Sequence, residues 1–174
     1  IETAKISIGF QNSYHILELQ LTINMIEQLD TSIEQIENEI IQIMSLYDFK
    51  TATIPGIGII SAASIVSEFE DFTKFQNSSQ LLSFAGLEPS TYQSGTQQTF
   101  GHMVKRGSSY LRETLMNVVP YVMTYNSTFY EYYRKKKNEG KHHRVVLTHL
   151  VKKLIRVIYH LETKNISFDS SKIK

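Results

Sequence analysis

Gly56 and Gly58 bracket one isoleucine in Ile54-Pro55-Gly56-Ile57-Gly58, and Ile59-Ile60-Ser61-Ala62-Ala63-Ser64-Ile65 follows with the makeup of a helix. A Gly-x-Gly turn that opens into a helix sets backbone N–H groups at the helix N-terminus. A phosphate oxygen can dock there with no side chain in the way. Glycine takes positive φ without steric cost, and Pro55 presets the entry. A third glycine is missing and no strand–helix–strand alternation surrounds the turn, so it is not a dinucleotide fingerprint. The competing reading is that small residues here only let helices pack closely.

The charge distribution favours nucleic-acid backbone as that phosphate. The net charge is +1, but it conceals a gradient. Residues 1–50 hold eight acids against Lys5 and Lys50, and residues 51–100 hold four acids against Lys74 alone. Residues 101–174 hold fifteen Lys and Arg against five acids, with five of the six histidines. Such asymmetry separates a scaffold from a polyanion-binding segment, or else marks a merely soluble basic face.

Phe129-Tyr130-Glu131-Tyr132-Tyr133-Arg134-Lys135-Lys136-Lys137 interleaves aromatic rings with four consecutive cations. Lys135 and Lys136 could follow a phosphate track while a tyrosine stacks on an unpaired base. Alternatively the tyrosines are core and the cations close a helix end near Gly140, where they suit the dipole. His149 sits six or seven residues from the His142-His143 pair, and the three are not read as a metal site. Glu68, Glu70 and Asp71 could hold Mg²⁺, but Asp71 is read as shaping the next turn.

The elements that must position these groups read as helices. Residues 12–48 contain no Gly or Pro. Their apolar residues Ile16, Leu19, Ile23, Ile26, Leu29, Ile33, Ile36, Ile40, Ile43 and Tyr47 step by 3 and 4 with one stammer at Leu29, as in a coiled-coil seam. That seam needs burial, against another copy or within the full chain. Thr31 with Glu34 is a candidate capping box that would divide the segment; one long helix is preferred. A helix over 59–69 follows the glycine turn. Asn77 and Gln80 start another that Gly86 stops, and Ser108 caps one running to about Tyr125, with Pro120 expected to bend it. Thr128 and Glu131 frame a further box, for a helix stopping at Gly140.

The last helix, about 142–162, is amphipathic. Leu147, Leu150, Val151, Leu154, Ile158 and Leu161 line one face, and His149, Lys152, Lys153, Arg156 and His160 another. The polar stretch from Leu87 to Gly107 reads as a functional loop with a short hairpin, and the tail from Lys164 as frayed.

With 174 residues, 41% of them hydrophobic, the chain fits one compact domain plus a helical appendage. It has no cysteine, which excludes disulfides and Cys-based zinc sites and suits an intracellular compartment. No apolar run approaches the roughly 18 residues of a membrane span. The chain begins Ile1-Glu2-Thr3 without Met and reads as a piece of something longer.

Five ordered blocks carry a resemblance. Ile54-Pro55-Gly56-Ile57-Gly58, Phe75 to Leu82, Ala85-Gly86-Leu87-Glu88-Pro89, Tyr92-Gln93-Ser94-Gly95 and Lys105-Arg106-Gly107-Ser108-Ser109-Tyr110-Leu111-Arg112 resemble the C-terminal domain of the Piv/MooV-like DEDD insertion-sequence transposases, the bridge-RNA-guided serine recombinases. The likeness covers about residues 50–162. It implies a RuvC-like metal domain preceding Ile1, then a coiled coil that includes residues 12–48, then the present domain.

By that resemblance, Ser94 in the Tyr-x-Ser-Gly loop matches the nucleophile, with Tyr92 and Gly95 its neighbours. It would face Mg²⁺ bound by the RuvC-like domain of another protomer. The loop itself holds no base to activate a hydroxyl, which agrees with metal supplied from outside. Lys105, Arg106 and Arg112 match the basic block after the serine, where they and the helix start could grip a phosphate. Arg112 could instead pair with Glu113 or another acid. Relatives often carry Asn where Ser108 stands and cations between Ser94 and Lys105, which this sequence lacks. The glycine turn also resembles a helix-hairpin-helix element, which holds phosphates without reading sequence.

The expectation is therefore a mostly α chain. Residues 1–49 form a coiled-coil or linker helix, 50–163 a small helical domain with the helix-hairpin-helix-like turn and a polar active-site loop, and 164–174 a flexible tail. Its function would be strand cleavage and exchange, with Gly56, Gly58, Tyr92, Gly95, Lys105, Arg106, Arg112, Lys135, Lys136, Lys152 and Arg156 holding nucleic acid. No cofactor is expected in this segment, since Mg²⁺ would belong to the RuvC-like domain. Its partners would be DNA, a structured guide RNA and further copies (dimer or tetramer) through the coiled coil, without a membrane, in the bacterial cytoplasm at the nucleoid. The alternatives are a non-catalytic helix-hairpin-helix nucleic-acid-binding module and a coiled-coil oligomerisation protein with a soluble basic half.

Overall fold

A computed structural model describes residues 12–94, 97–103 and 106–172. The protein is mostly α-helical and divides into two units, Ile1–Gln42 and Ile43–Lys174. The first consists, where described, of most of helix α1, Ser13–Ser45. Thr31 does not interrupt that helix. Its hydroxyl donates to the Glu27 carbonyl one turn back, so the helix absorbs the side chain that a cap would have used. The seam residues Leu19 and Ile36 are 62% and 58% exposed.

The second unit is built around one central helix. Helices α2 (Ile59–Phe69), α3 (Ser78–Phe84), α4 (Ser109–Tyr125), α5 (Ser127–Asn138) and α6 (His143–Lys164) follow in order, with strands β1 (Pro89–Ser94) and β2 (Gln97–Met103) between α3 and α4. Helices α3, α4 and α5 all pack on α6, and α2 packs on α4. Every residue of the expected α6 stripe is buried, and Val146 and Ile155 are buried beside it. The buried face is wider than one stripe because α6 has neighbours on several sides. Each large aliphatic side chain so buried contributes about 1.5–3 kcal/mol. Phe69, Phe72, Phe75 and Phe84 pack ring against ring, with centroids 5.2 to 5.9 Å apart, and Tyr159 of α6 donates to the Phe75 carbonyl at 3.0 Å.

The caps explain where the helices begin. Asn77 Oδ1 accepts from the N–H groups of Ser79 and Gln80, and Ser108 Oγ accepts from Leu111. Helix α4 continues through Pro120. Helix α5 starts differently from expectation. Its cap is Asn126, which accepts from the Phe129 N–H at 3.2 Å, and not Thr128. Asn126 is buried at the α4–α5 junction, so its amide serves where water cannot.

The tail departs from the frayed end the sequence suggested. Asn165 takes a left-handed conformation that ends α6, and the Phe168 N–H donates to Thr53 Oγ1 at 2.9 Å.

Candidate nucleic-acid interface

At the glycine turn the two glycines have different jobs. Gly56 has φ +96°, and a Cβ there would lie 2.5 Å from the Val122 nitrogen and 2.6 Å from the Tyr121 carbonyl carbon. Its bareness thus lets the turn meet the backbone of α4. Gly58 has φ −72°, needs no left-handed freedom, and has nothing within 4 Å of its Cβ position. It is the exposed N-cap of α2, and no side chain caps that end. Before the turn stands a single 3₁₀ turn, Thr51–Thr53. Of the two glycines, only Gly58 lies open at the helix start that the phosphate reading requires.

The Tyr92–Ser94 stretch lies in an antiparallel hairpin, which realises the short hairpin read from the sequence. Tyr92 pairs with Thr99 and Ser94 with Gln97, the last pair of the ladder before residues 95 and 96. A bulge falls between Pro89 and Thr91. Gly95 and Lys105 lie outside the described residues.

The base of the hairpin is closely interlocked. Gly86 has φ +65° and Gly107 φ +124°. A Cβ on Gly86 would overlap the Arg106 carbonyl oxygen, and one on Gly107 the Phe84 carbonyl oxygen. The Ser108 N–H donates to Phe84 O at 3.3 Å, and Arg112 Nη1 donates to Ala85 O at 3.2 Å. Arg112 therefore holds the end of α3 against the start of α4 from a half-buried position, and its partner is a carbonyl and not Glu113. Arg106 is exposed beside it.

Helix α6 places His149, Lys152, Lys153, Arg156 and His160 along one groove of about 570 Å³. Tyr132 of α5 and the returning segment Ile166–Asp169 with Lys172 complete its walls, and Val157, Leu161, Ile166 and Phe168 give it apolar surface. Lys153 Nζ stands 5.2 Å from the Tyr132 ring centre and 5.5 Å from that of Phe129, while Lys136 Nζ lies 5.6 Å from Tyr132. Lys136 also donates to both carboxylate oxygens of Glu139 at 2.9 and 3.0 Å. Lys135 is exposed on α5. Lys152 and Arg156 thus share one site with Tyr132, while Lys136 touches Tyr132 from outside the groove lining.

Burial lowers the pKa of Lys153, and burial followed by the charges of Lys152, Lys136 and Lys141 lowers that of His149. The one acid lining the groove, Asp169, is engaged by its own turn: it accepts from the Ser171 N–H and hydroxyl at 3.0 and 2.7 Å, which holds its pKa down.

His142, His143, Asp71 and Glu70 have structural partners. His142 Nδ1 accepts from the Arg144 N–H at the start of α6, and His143 Nδ1 lies 3.0 Å from the Tyr133 hydroxyl. Asp71 accepts from the Thr73 N–H and hydroxyl and shapes the following turn, as read from the sequence, and Glu70 pairs with Lys74. Among the described residues no three His, Asp or Glu side chains gather closely enough to hold a metal ion. No helix among them is long and apolar enough to cross a membrane.

The glycine turn, the hairpin with its clamped base and the first turns of α5 fall within one recognised module. Residues 50–134 match the family model described as the transposase IS116/IS110/IS902 family. The chain is similar to a pilin gene-inverting protein of Moraxella lacunata, 26% identical over 91% of this chain and 52% of the relative. It is also similar to the transposase of insertion sequence element IS1328 from Yersinia enterocolitica, 30% identical over 78% of this chain and 42% of the relative. An uncharacterised 43.6 kDa protein of insertion element IS110 from Streptomyces coelicolor is 29% identical over 62% of this chain, which covers 26% of that protein. The chain thus spans from about a quarter to about half the length of these relatives.

Proposed function

We propose that this chain is part of a DNA recombinase of a mobile insertion sequence, and that Ser94 is its nucleophile. The observation that carries the reading is the placement of Ser94 at the last ladder pair of a hairpin. The base of that hairpin is fixed to two helices by Gly86, Gly107 and Arg112. A nucleophile must be held to within a fraction of an ångström of its target, and a clamped hairpin is suited to that. Exposed Arg106 and the capped start of α4 lie at the same base, where backbone phosphate could be gripped.

In the step proposed, Ser94 Oγ attacks a DNA phosphorus, losing its proton as the Oγ–P bond forms. The P–O bond to one deoxyribose breaks, and that oxygen leaves as a hydroxyl by taking up a proton. A second strand's free hydroxyl then attacks the seryl phosphodiester and restores Ser94. No base adjoins Ser94 in sequence, and the described residues offer no donor set for Mg²⁺. Activation of the hydroxyl would fall to a metal held by carboxylates of another domain. The protein would act in the bacterial cytoplasm at the nucleoid, with a structured guide RNA and self-association along α1.

The test is covalent trapping with the full-length recombinase on its own DNA. Ser94→Ala should yield no protein–DNA adduct and no strand exchange while still binding DNA. Wild-type-like recombination by that variant removes the nucleophile assignment. The second reading, a non-catalytic nucleic-acid-binding module, draws on the α6 groove, which is complete without Ser94.

A further inference from the structure

We propose that the groove between α5, α6 and the segment 166–172 binds a short unpaired stretch of nucleic acid, with one base seated on its apolar wall. The site rests on the nucleic-acid reading of the basic half, but not on Ser94. Most of it lies beyond residue 134, outside the matched transposase segment.

Three features select this ligand. The cationic side presents His149, Lys152, Arg156 and His160, one step of three or four residues after another along α6. At 1.5 Å per residue this stripe runs about 16 Å, the reach of a few backbone phosphates and too long for a single free anion. Apolar surface comes from Val157 and Leu161 on α6 itself and from Ile166 and Phe168 of the returning segment, and Tyr132 is half-buried beside it. A duplex hides its bases and has no use for such a surface, whereas an unpaired base has an aromatic face to bury.

The third feature is charge complementarity. The one carboxylate in the lining, Asp169, is occupied by the Ser171 hydroxyl and N–H and lies 3.5 Å from Lys172 Nζ. A basic or neutral peptide would leave the cations unmatched, and an acidic peptide matches them but brings no planar face for the apolar surface, whereas an unpaired nucleic-acid strand supplies both. At about 570 Å³ the volume falls within the range of small-ligand sites and suits one nucleotide.

The experiment is fluorescence anisotropy of the 174-residue chain with labelled 8-mers of oligo(U) and oligo(dT) and with an 8-base-pair duplex, across a salt series. Single strands of either sugar should bind more tightly than the duplex. Phe168→Ala and Tyr132→Ala should each weaken the single-strand complex about tenfold without changing its salt slope. Lys152→Ala should reduce that slope by about 0.7. Val157→Glu, which sets a carboxylate in the groove at a half-buried position, should abolish single-strand preference while circular dichroism melting stays near wild type. If duplex binds as well as single strand and the aromatic variants bind normally, the groove proposal falls and the broader DNA-binding reading stands. If no nucleic acid binds even at low salt, both fall.

Discussion

Glu162 on the last turns of α6 accepts two hydrogen bonds from Thr51, one from its N–H and one from its hydroxyl, each at 2.6 Å. The two residues are 111 positions apart, and Thr51 is fully buried. This contact ties the segment entering the glycine turn to the helix that carries the basic groove. It joins the two candidate phosphate-binding regions through one carboxylate.

Removing that acceptor should cost stability out of proportion to one surface charge. Glu162→Ala leaves the buried Thr51 N–H and hydroxyl without a partner, a penalty of about 1–3 kcal/mol. Thr51→Val loses only the hydroxyl bond and should cost less. Urea denaturation of both variants checks the order; equal stability of Glu162→Ala and wild type would show the contact to be energetically idle.

The two glycines of the turn should behave oppositely. Gly56→Ala forces a Cβ into the α4 backbone at a φ that L-residues avoid, so a loss of more than ~1 kcal/mol is expected. Gly58→Ala meets open space and should cost less than ~1 kcal/mol. Thermal melts of the pair are the measurement. If Gly58→Ala weakens duplex DNA binding without lowering the melting temperature, the phosphate role belongs to Gly58 alone.

Arg112 should prove to be a fastener of the hairpin and not a phosphate contact. Its guanidinium is committed to the Ala85 carbonyl. Arg112→Ala should lower stability by about 1–3 kcal/mol and impair strand exchange in the full-length enzyme. The slope of duplex affinity against salt should stay that of wild type. A slope smaller by about 1 would instead mark a lost phosphate contact.

The contrast between these sites shows what the sequence could convey. Local signals were legible: the unbroken run giving α1, the caps Asn77 and Ser108, the stop at Gly86, the stripe on α6 and the hairpin in the polar stretch. Each is written within a few residues. What escaped was set by distant partners. Gly107 is required by Phe84 and Gly86, Gly56 by Val122, and the docking of the tail by Thr53. The α5 cap escaped for a different reason. Thr128-x-x-Glu131 has the right spacing, but Asn126 sits at the junction where α4 ends, and burial there decides the start. At the groove, Lys152 and Arg156 were readable from helical spacing, whereas Phe168 joined them only through the return of the chain after Asn165.

His149 makes the groove sensitive to pH, and the sign follows from its surroundings. Burial first, then the positive charges of Lys152, Lys136 and Lys141, lower its pKa, while Glu139 acts in the opposite sense. The unfolded chain therefore holds more protons than the folded one just below the ordinary histidine value of about 6.5. The stability due to this group is fully present above that value and is lost as pH falls through it. A phosphate strand laid along α6 adds negative charge beside the ring and favours its protonated form. Binding should thus take up a proton and tighten as pH falls from 8 to 6, even though the free protein grows less stable. His149→Gln should flatten both trends relative to wild type, read by anisotropy with the oligo(U) 8-mer and by thermal melts at the two pH values. If His149→Gln keeps the full pH dependence of binding, the proton is taken up elsewhere on the basic face and His149 does not meet the strand.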